Sequence, residues 1–131
     1  MFVDASAIVA IIAMEKDAPT LIAKLKVARE AFISPISQYE SILGLARALN
    51  ATIEASAELV DDFIREKSLQ SLAIDTAIAT DAVAAFARYG KGRHRAKLTM
   101  GDCFAYACAK TLDVPLLCKG NDFKHTDIKL A

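Results

Sequence analysis

The stretch MFVDASAIVAII, Met1 to Ile12, decides how the rest of this chain is read. Three apolar residues run straight into Asp4, and from Ser6 onward the apolar positions change from strand-like to helix-like spacing. Residues 2–4 therefore read as a short strand and Ser6 to Met14 as the first helix, with a carboxylate at the turn between them. Working outward, Pro19 sits at the start of a second helix over TLIAKLKVAREA, where its missing N–H is tolerated. Ala31 to Ser34 is a second short strand, and Pro35 turns the chain into a helix from about Gln38 to Asn50. Further helices are expected over Ile53–Lys67, 76–89 and 100–112. LQSLAI (69–74) and VPLLC (114–118) read as strands, and Thr126 to Leu130 as an edge strand. Short apolar strands alternating with long helices predict an α/β fold: one domain over 1–131, with a small, mostly parallel sheet of four or five strands flanked by helices.

In such sheets ligands bind outside the carboxyl ends of the strands, and acidic residues cluster at those places here. Asp4 follows the first strand, Glu40 opens the helix after the second, Asp102 opens the helix of TMGDCFAYACAK, and Asp122 follows VPLLC in CKGNDF. Carboxylates gathered in this way make an all-oxygen site suited to Mg²⁺ or Mn²⁺. Each also has a local structural role open to it. Ser37-Gln-Tyr-Glu40 and Thr99-Met-Gly-Asp102 fit capping boxes, Asp4 can cap the first helix, and Asp122 can sit in an Asx-turn after Gly120-Asn121. Two details favour a site. Asp4 and the Ser6 hydroxyl can point to the same side of the strand end, and Gly101 beside Asp102 leaves room for a close neighbour. Asp127, in HTDI, is either a fifth rim acid or an edge-strand residue. The remaining acids belong to helices or their starts.

Composition sets further limits. The 131 residues are 54% hydrophobic and only 7% aromatic, so the core is built from Ala, Ile, Leu and Val. No apolar run is long enough to span a membrane, and the start lacks the basic region and cleavage site of a secretory signal, so a cytoplasmic location is expected. Cys103, Cys108 and Cys118 lack metal-binding spacing, and His94 and His125 are too scattered for a histidine metal site or an acid–base pair. Net charge is zero but polarised: residues 1–87 carry seven Lys/Arg against twelve Asp/Glu, and residues 88–131 nine against four. The basic part is densest in RYGKGRHRAK, where Arg93, Arg95 and Lys97, joined by Lys119 and Lys124, can follow a phosphate backbone. The alternative for this tract is a solvated loop.

Together MFVDASAIVAII, SQYE, GKGRHRAKLTMGDCFAYACAK and PLLCKGNDFKHTDI resemble the PIN-domain toxins of bacterial type II toxin–antitoxin systems, the VapC family, over essentially the whole chain. The resemblance implies a three-layer PIN-like fold and a metal site of Asp4, Glu40, Asp102 and Asp122, with Ser6 and Asn121 in support. It implies an Mg²⁺- or Mn²⁺-dependent endoribonuclease that cuts structured RNA such as tRNA or rRNA. It also implies a homodimer held inactive by a VapB-like antitoxin in a heterotetramer or larger assembly. On the residues alone, two other classes stay open. One is a phosphoacceptor signalling domain using Asp4; the other is a non-catalytic dimerisation or protein-binding domain whose acids only cap helices.

Overall fold

A computed structural model describes residues 1–131 and places four two-residue strands among six helices. In chain order these are β1 (Phe2–Val3), α1 (Ala5–Ile12), α2 (Ala18–Lys26), β2 (Phe32–Ile33), α3 (Pro35–Leu49), α4 (Ile53–Glu66), β3 (Gln70–Ser71), α5 (Thr76–Tyr89), α6 (Met100–Leu112) and β4 (Leu116–Leu117), followed by a 3₁₀ turn at Asp122–His125. All pairings are parallel and the strand order is β3-β2-β1-β4. Phe2 pairs with Phe32 on one side and Leu116 on the other, and Val3 with Leu117.

Because side chains alternate across a strand, these pairs divide the core into two layers. Phe2 and Leu116 are fully buried in the cluster built by α5 and α6, with Ala85, Leu98, Tyr106 and Cys108. Val3, Ile33 and Leu117 point to the other face, into Ile8, Ile11, Leu21, Leu25 and Phe63 from α1, α2 and α4. The helices on both faces and the sheet between them give the three-layer α/β architecture expected. The chain builds β1, β2 and β3 outward in one direction and then returns to add β4 on the far side of β1. The order therefore reverses between β1 and β4, and that is where an open parallel sheet leaves a crevice for ligands.

The helices 76–89 and 100–112 form over the expected residues. The other elements shift at one or both ends, α1 to Ala5–Ile12 and the strands to two residues each, and three of the differences have a local reason. Helix α3 begins at Pro35, because Ser34 is its N-cap, accepting a hydrogen bond from the Ser37 N–H at 3.1 Å, and proline suits the first helical position. The Ser37–Glu40 capping box therefore does not exist, and Glu40 lies in the second turn. Helix α2 stops at Lys26, since residues 28–31 must unwind to carry Phe32 alongside β1, where its N–H donates to the Met1 carbonyl. The expected edge strand at Thr126–Leu130 shrinks to one parallel bridge between Leu116 and Leu130. The 3₁₀ turn uses the chain up to His125, and Asp127 is held elsewhere.

Asp127 pins this tail to the α5–α6 layer. Its carboxylate accepts from the Tyr106 hydroxyl at 2.5 Å, the Tyr89 hydroxyl at 3.2 Å and Lys110 Nζ at 3.2 Å. The tyrosine hydrogen bond, opposed by partial desolvation and aided by Lys110, holds its carboxyl down at about 2. A depressed acid stabilises the fold above its unfolded value and loses that contribution as pH falls through the folded one. Asp127→Ala is expected to destabilise the protein by about 1 kcal/mol at pH 7, a modest figure because the carboxylate is half exposed. In urea denaturation the difference from wild type shrinks below about pH 4; a gap that stays constant down to pH 3 would assign the effect to packing instead.

Candidate active site

Asp4 ends β1 at the reversal point. Its backbone N–H donates to the Leu117 carbonyl at 2.9 Å, the last rung towards β4, and its extended backbone makes it the N-cap of α1. The side chain is almost wholly buried, at 4% exposed. One carboxylate oxygen accepts from the Ser6 N–H at 3.0 Å and the Ser6 hydroxyl at 2.5 Å. The Ser6 oxygen in turn accepts from the Lys119 N–H at 3.0 Å. Ser6 thus ties the end of β1 to the turn after β4 and fixes the Asp4 carboxylate between them.

Asp102 stands at the third position of α6 in the capping box anticipated from Thr99-Met-Gly-Asp102. Its Oδ2 accepts from the Thr99 N–H at 2.8 Å and the Thr99 hydroxyl at 2.9 Å, leaving Oδ1 without a partner. Glu40 reaches in from α3. An ideal methyl on Gly101 would overlap both Glu40 carboxylate oxygens, so the glycine makes the space this acid occupies. The Glu40 carboxylate makes no hydrogen bond or ion pair, although it is half-buried.

Asp4, Glu40 and Asp102 line one groove of about 460 Å³, together with Ser6, Tyr39, Arg47 and Lys119. Burial raises the proton affinity of all three acids, and they reinforce one another. Glu40 is pushed further up by Asp4 and Asp102, Asp4 by Asp102, and Asp102 by Asp122, against the opposing hydrogen bonds from Ser6 and Thr99. The Cys118 thiol, pushed up to about 12 by burial and by the fields of Asp4 and Asp102, reports the same negative potential and is inert as a nucleophile at neutral pH.

Other candidate residues stand apart. Asp122 and Asn121 are exposed in and beside the 3₁₀ turn and do not line the groove, although Asp122 is close enough to act on Asp102. Asp127 faces Tyr89, Tyr106 and Lys110, away from the groove. Arg93, Arg95 and Lys97 are exposed on a loop whose ends are joined by Lys91 N–H to the Leu98 carbonyl at 2.9 Å and Leu98 N–H to the Tyr89 carbonyl at 3.0 Å. Ala96 and Leu98 bury completely beneath them, so this is a folded loop presenting cations to solvent. Lys119 does line the groove, in an ion pair with Glu15. Arg47 is an addition that the sequence reading missed; its signal is the i, i+4, i+7 row Glu40–Gly44–Arg47 on one face of α3.

A sequence profile of the PIN domain matches residues 1–129. Among curated relatives, a VapC ribonuclease of Rhizobium meliloti is 39% identical, covering 97% of this chain and 98% of its own length. Ribonuclease VapC30 of Mycobacterium tuberculosis is 38% identical, covering 98% and 95%. The chain belongs to the VapC family of PIN-domain ribonuclease toxins. Two solved structures agree in fold. VapC20 of M. tuberculosis, described as a sarcin-ricin loop cleaving toxin, superposes with a TM-score of 0.78 at 15% identity, covering 99% of this chain and 97% of that one. A chain of a toxin–antitoxin complex from Klebsiella pneumoniae gives 0.71 at 18% identity, covering 99% and 95%. As for membrane attachment through a helix, no helix of this VapC-family chain is long and apolar enough to cross a bilayer.

The donor set of the groove fits a hard divalent cation: three carboxylates, all oxygen, raised in proton affinity by burial and mutual repulsion. The arrangement is gathered without being closed, since no three carboxylate, imidazole or thiol groups converge into a metal-ion cage.

Proposed function

We propose that this chain is a metal-dependent endoribonuclease of the cytoplasm that cuts structured RNA, tRNA or rRNA, and leaves 5′-phosphate and 3′-hydroxyl ends. The observation that carries the reading is that Asp4, Glu40 and Asp102 line one groove at the β1/β4 reversal point and none of the three is neutralised by an ion pair. Asp4, Glu40 and Asp102 would hold Mg²⁺ or Mn²⁺, with Asp122 joining from the 3₁₀ turn. Such an ion supplies positive charge to a phosphodiester and lowers the pKa of water.

The chain's own residues supply position. Ser6 holds the Asp4 carboxylate in one orientation, Thr99 does the same for Asp102, and Gly101 admits Glu40. Hydrolysis forms a bond from a water oxygen to phosphorus and breaks the bond from phosphorus to the 3′ oxygen. No histidine is placed to lead this chemistry. His94 packs edge-on against Tyr89 and accepts from the Ala96 N–H at 3.1 Å, and His125 is exposed beyond the groove. The phosphoacceptor alternative loses ground because Asp4 is buried under Ser6, and the one lysine lining the groove is paired with Glu15. Family membership and the likeness to a toxin–antitoxin complex chain support a VapB-like antitoxin as partner and a homodimer, in a heterotetramer or larger with the antitoxin.

The test is cleavage of end-labelled total tRNA and rRNA by antitoxin-free protein in Mn²⁺, in EDTA, and with Asp4→Asn. Discrete cuts that need both the metal and Asp4 are expected. Mn²⁺ at about 100 times its Kd should also stabilise the fold by about 2.7 kcal/mol, raising the melting temperature by several degrees. No cutting together with no thermal shift would leave the acids as helix caps in a binding domain.

The basic loop is expected to act on affinity alone. Arg95→Glu should weaken RNA binding and make it less steeply dependent on salt, by roughly one phosphate contact. An unchanged affinity across a salt series would remove the loop from the substrate path.

A further inference from the structure

Two residues of the groove stand outside the proposed metal ligands. Arg47 lies two turns along α3 from Glu40, roughly 10 Å down the helix axis at 1.5 Å per residue. The groove is lined by the carboxylates Asp4, Glu15, Glu40 and Asp102 and by two cations, Lys119 and Arg47. Lys119 is paired with Glu15, whereas Arg47 makes no ion pair and no side-chain hydrogen bond. A guanidinium left free beside four carboxylates is held apart from them by its place on the helix, and its planar fork is suited to a phosphate.

The second residue is Tyr39, whose exposure of 63% leaves its ring open to solvent next to Glu40. Tyr39, Leu43 and Arg47 follow one another at i, i+4 and i+8, a second row along the same helix. On the row of Glu40 and Arg47, α3 comes close to α1 at Gly44, where an added methyl would approach Val9 Cγ2 to 3.1 Å. Val9, Leu43 and Gly44 thus give the groove an apolar stretch running from the carboxylates to Arg47.

We infer that Tyr39 and Arg47 form a nucleotide subsite beside the carboxylates, in which Arg47 holds the phosphate next to the cleaved one and Tyr39 stacks on an unpaired base. This inference rests on the ribonuclease reading and deepens it, because it names the residues that would seat the nucleotide beside the cut. A ring can stack only on a base that has left its neighbours, so the subsite selects loop or single-stranded nucleotides and rejects the continuous stack of an A-form helix. The apolar stretch takes the sugar and base edge, and the charge at its far end fixes the strand.

The experiment compares Arg47→Gln, Tyr39→Leu and Tyr39→Phe with their parent, all in an Asp102→Asn background so that RNA stays intact. Fluorescence anisotropy in Mg²⁺ follows a fluorescein-labelled mixed-sequence single-stranded oligoribonucleotide and a blunt duplex of the same sequence. Arg47→Gln should weaken single-strand binding about tenfold and lower its salt slope by about 0.7, the share of one phosphate. Tyr39→Leu should weaken single-strand binding about tenfold with no change of slope and leave the duplex unaffected, and Tyr39→Phe should restore the affinity. Melting temperatures should not move, which separates the subsite from a role of Arg47 at the end of its helix.

Unchanged affinity in Arg47→Gln overturns the subsite, as do equal losses on duplex and single strand in Tyr39→Leu. Cleavage by the otherwise unmodified protein in Mn²⁺ scores the nuclease reading separately. Cutting with unaltered variants sinks the subsite alone. Absent cutting with the expected binding losses sinks the nuclease reading and keeps the RNA seat.

Discussion

Asp102→Asn is expected to lower Mn²⁺-dependent RNA cleavage by about a thousandfold, the equivalent of about 4 kcal/mol in the barrier, without unfolding the protein. The substitution keeps an amide oxygen where Oδ2 now accepts from the Thr99 N–H and hydroxyl, so the cap of α6 survives. It removes the negative charge that Asp102 contributes to the groove. In EDTA the variant should be as stable as wild type or more so, and the sign follows from linkage. Burial raises the Asp102 carboxyl above its ordinary value of 3.8. The folded state therefore holds its proton more tightly than the unfolded chain, and stability falls as pH rises from about 4 through the folded value. At pH 7 the cost of burying this carboxyl opposes folding, and asparagine relieves that opposition. Melting curves in EDTA at pH 7 and pH 4 check this: the advantage of the variant should be present at pH 7 and diminished at pH 4. Turnover within tenfold of wild type at saturating Mn²⁺ would remove Asp102 from the reaction.

This separation between chemistry and folding explains which parts of the molecule were legible in the sequence. Asp4 was legible because an apolar strand stops at it and a helical pattern starts beyond it, so one residue marks both a strand end and a cap. Helices α5 and α6 were legible because Asp75 and Thr99 are strong N-caps with uninterrupted apolar periods behind them. The start of α3 was misread because two serines, Ser34 and Ser37, could each cap a helix. The proline at position 35 decides for Ser34, and the decision moves Glu40 from a capping role to the second turn, where it is free to enter the groove. The tail misled for a different reason. Strand-like residues at its end are claimed by Asp127, whose two tyrosine partners lie 21 and 38 residues away in the chain. The pairing of Lys119 with Glu15 is similar, a contact across 104 residues that only the closing of β4 against β1 creates. Local patterns announce caps and periods; which side chains then share a groove depends on strand order, and that is set by the whole core.

Gly101 joins the two levels, and Gly101→Ala yields the sharpest separation between them. In the first turn of an exposed helix, replacing glycine with alanine stabilises by up to about 1 kcal/mol through helix propensity and a less flexible unfolded chain. Here the new methyl would overlap the Glu40 carboxylate. The obstacle is the far end of a flexible side chain, not backbone, so Glu40 can swing aside at little expense to the fold. Moving it also takes an ionised carboxylate away from Asp4 and Asp102, whose repulsion raises its proton affinity. The variant should therefore melt at the same temperature as wild type or a few degrees higher in EDTA. Cleavage should nevertheless fall by about a hundredfold or more, because a misplacement on the order of 1 Å at a reacting centre is worth that much. The thermal shift produced by Mn²⁺ should shrink along with it. Thermal melts in EDTA and in Mn²⁺, run beside a cleavage time course, decide the matter. Full activity in Gly101→Ala would show that Glu40 is not needed where it stands, and a large drop in stability would show that the groove cannot release it.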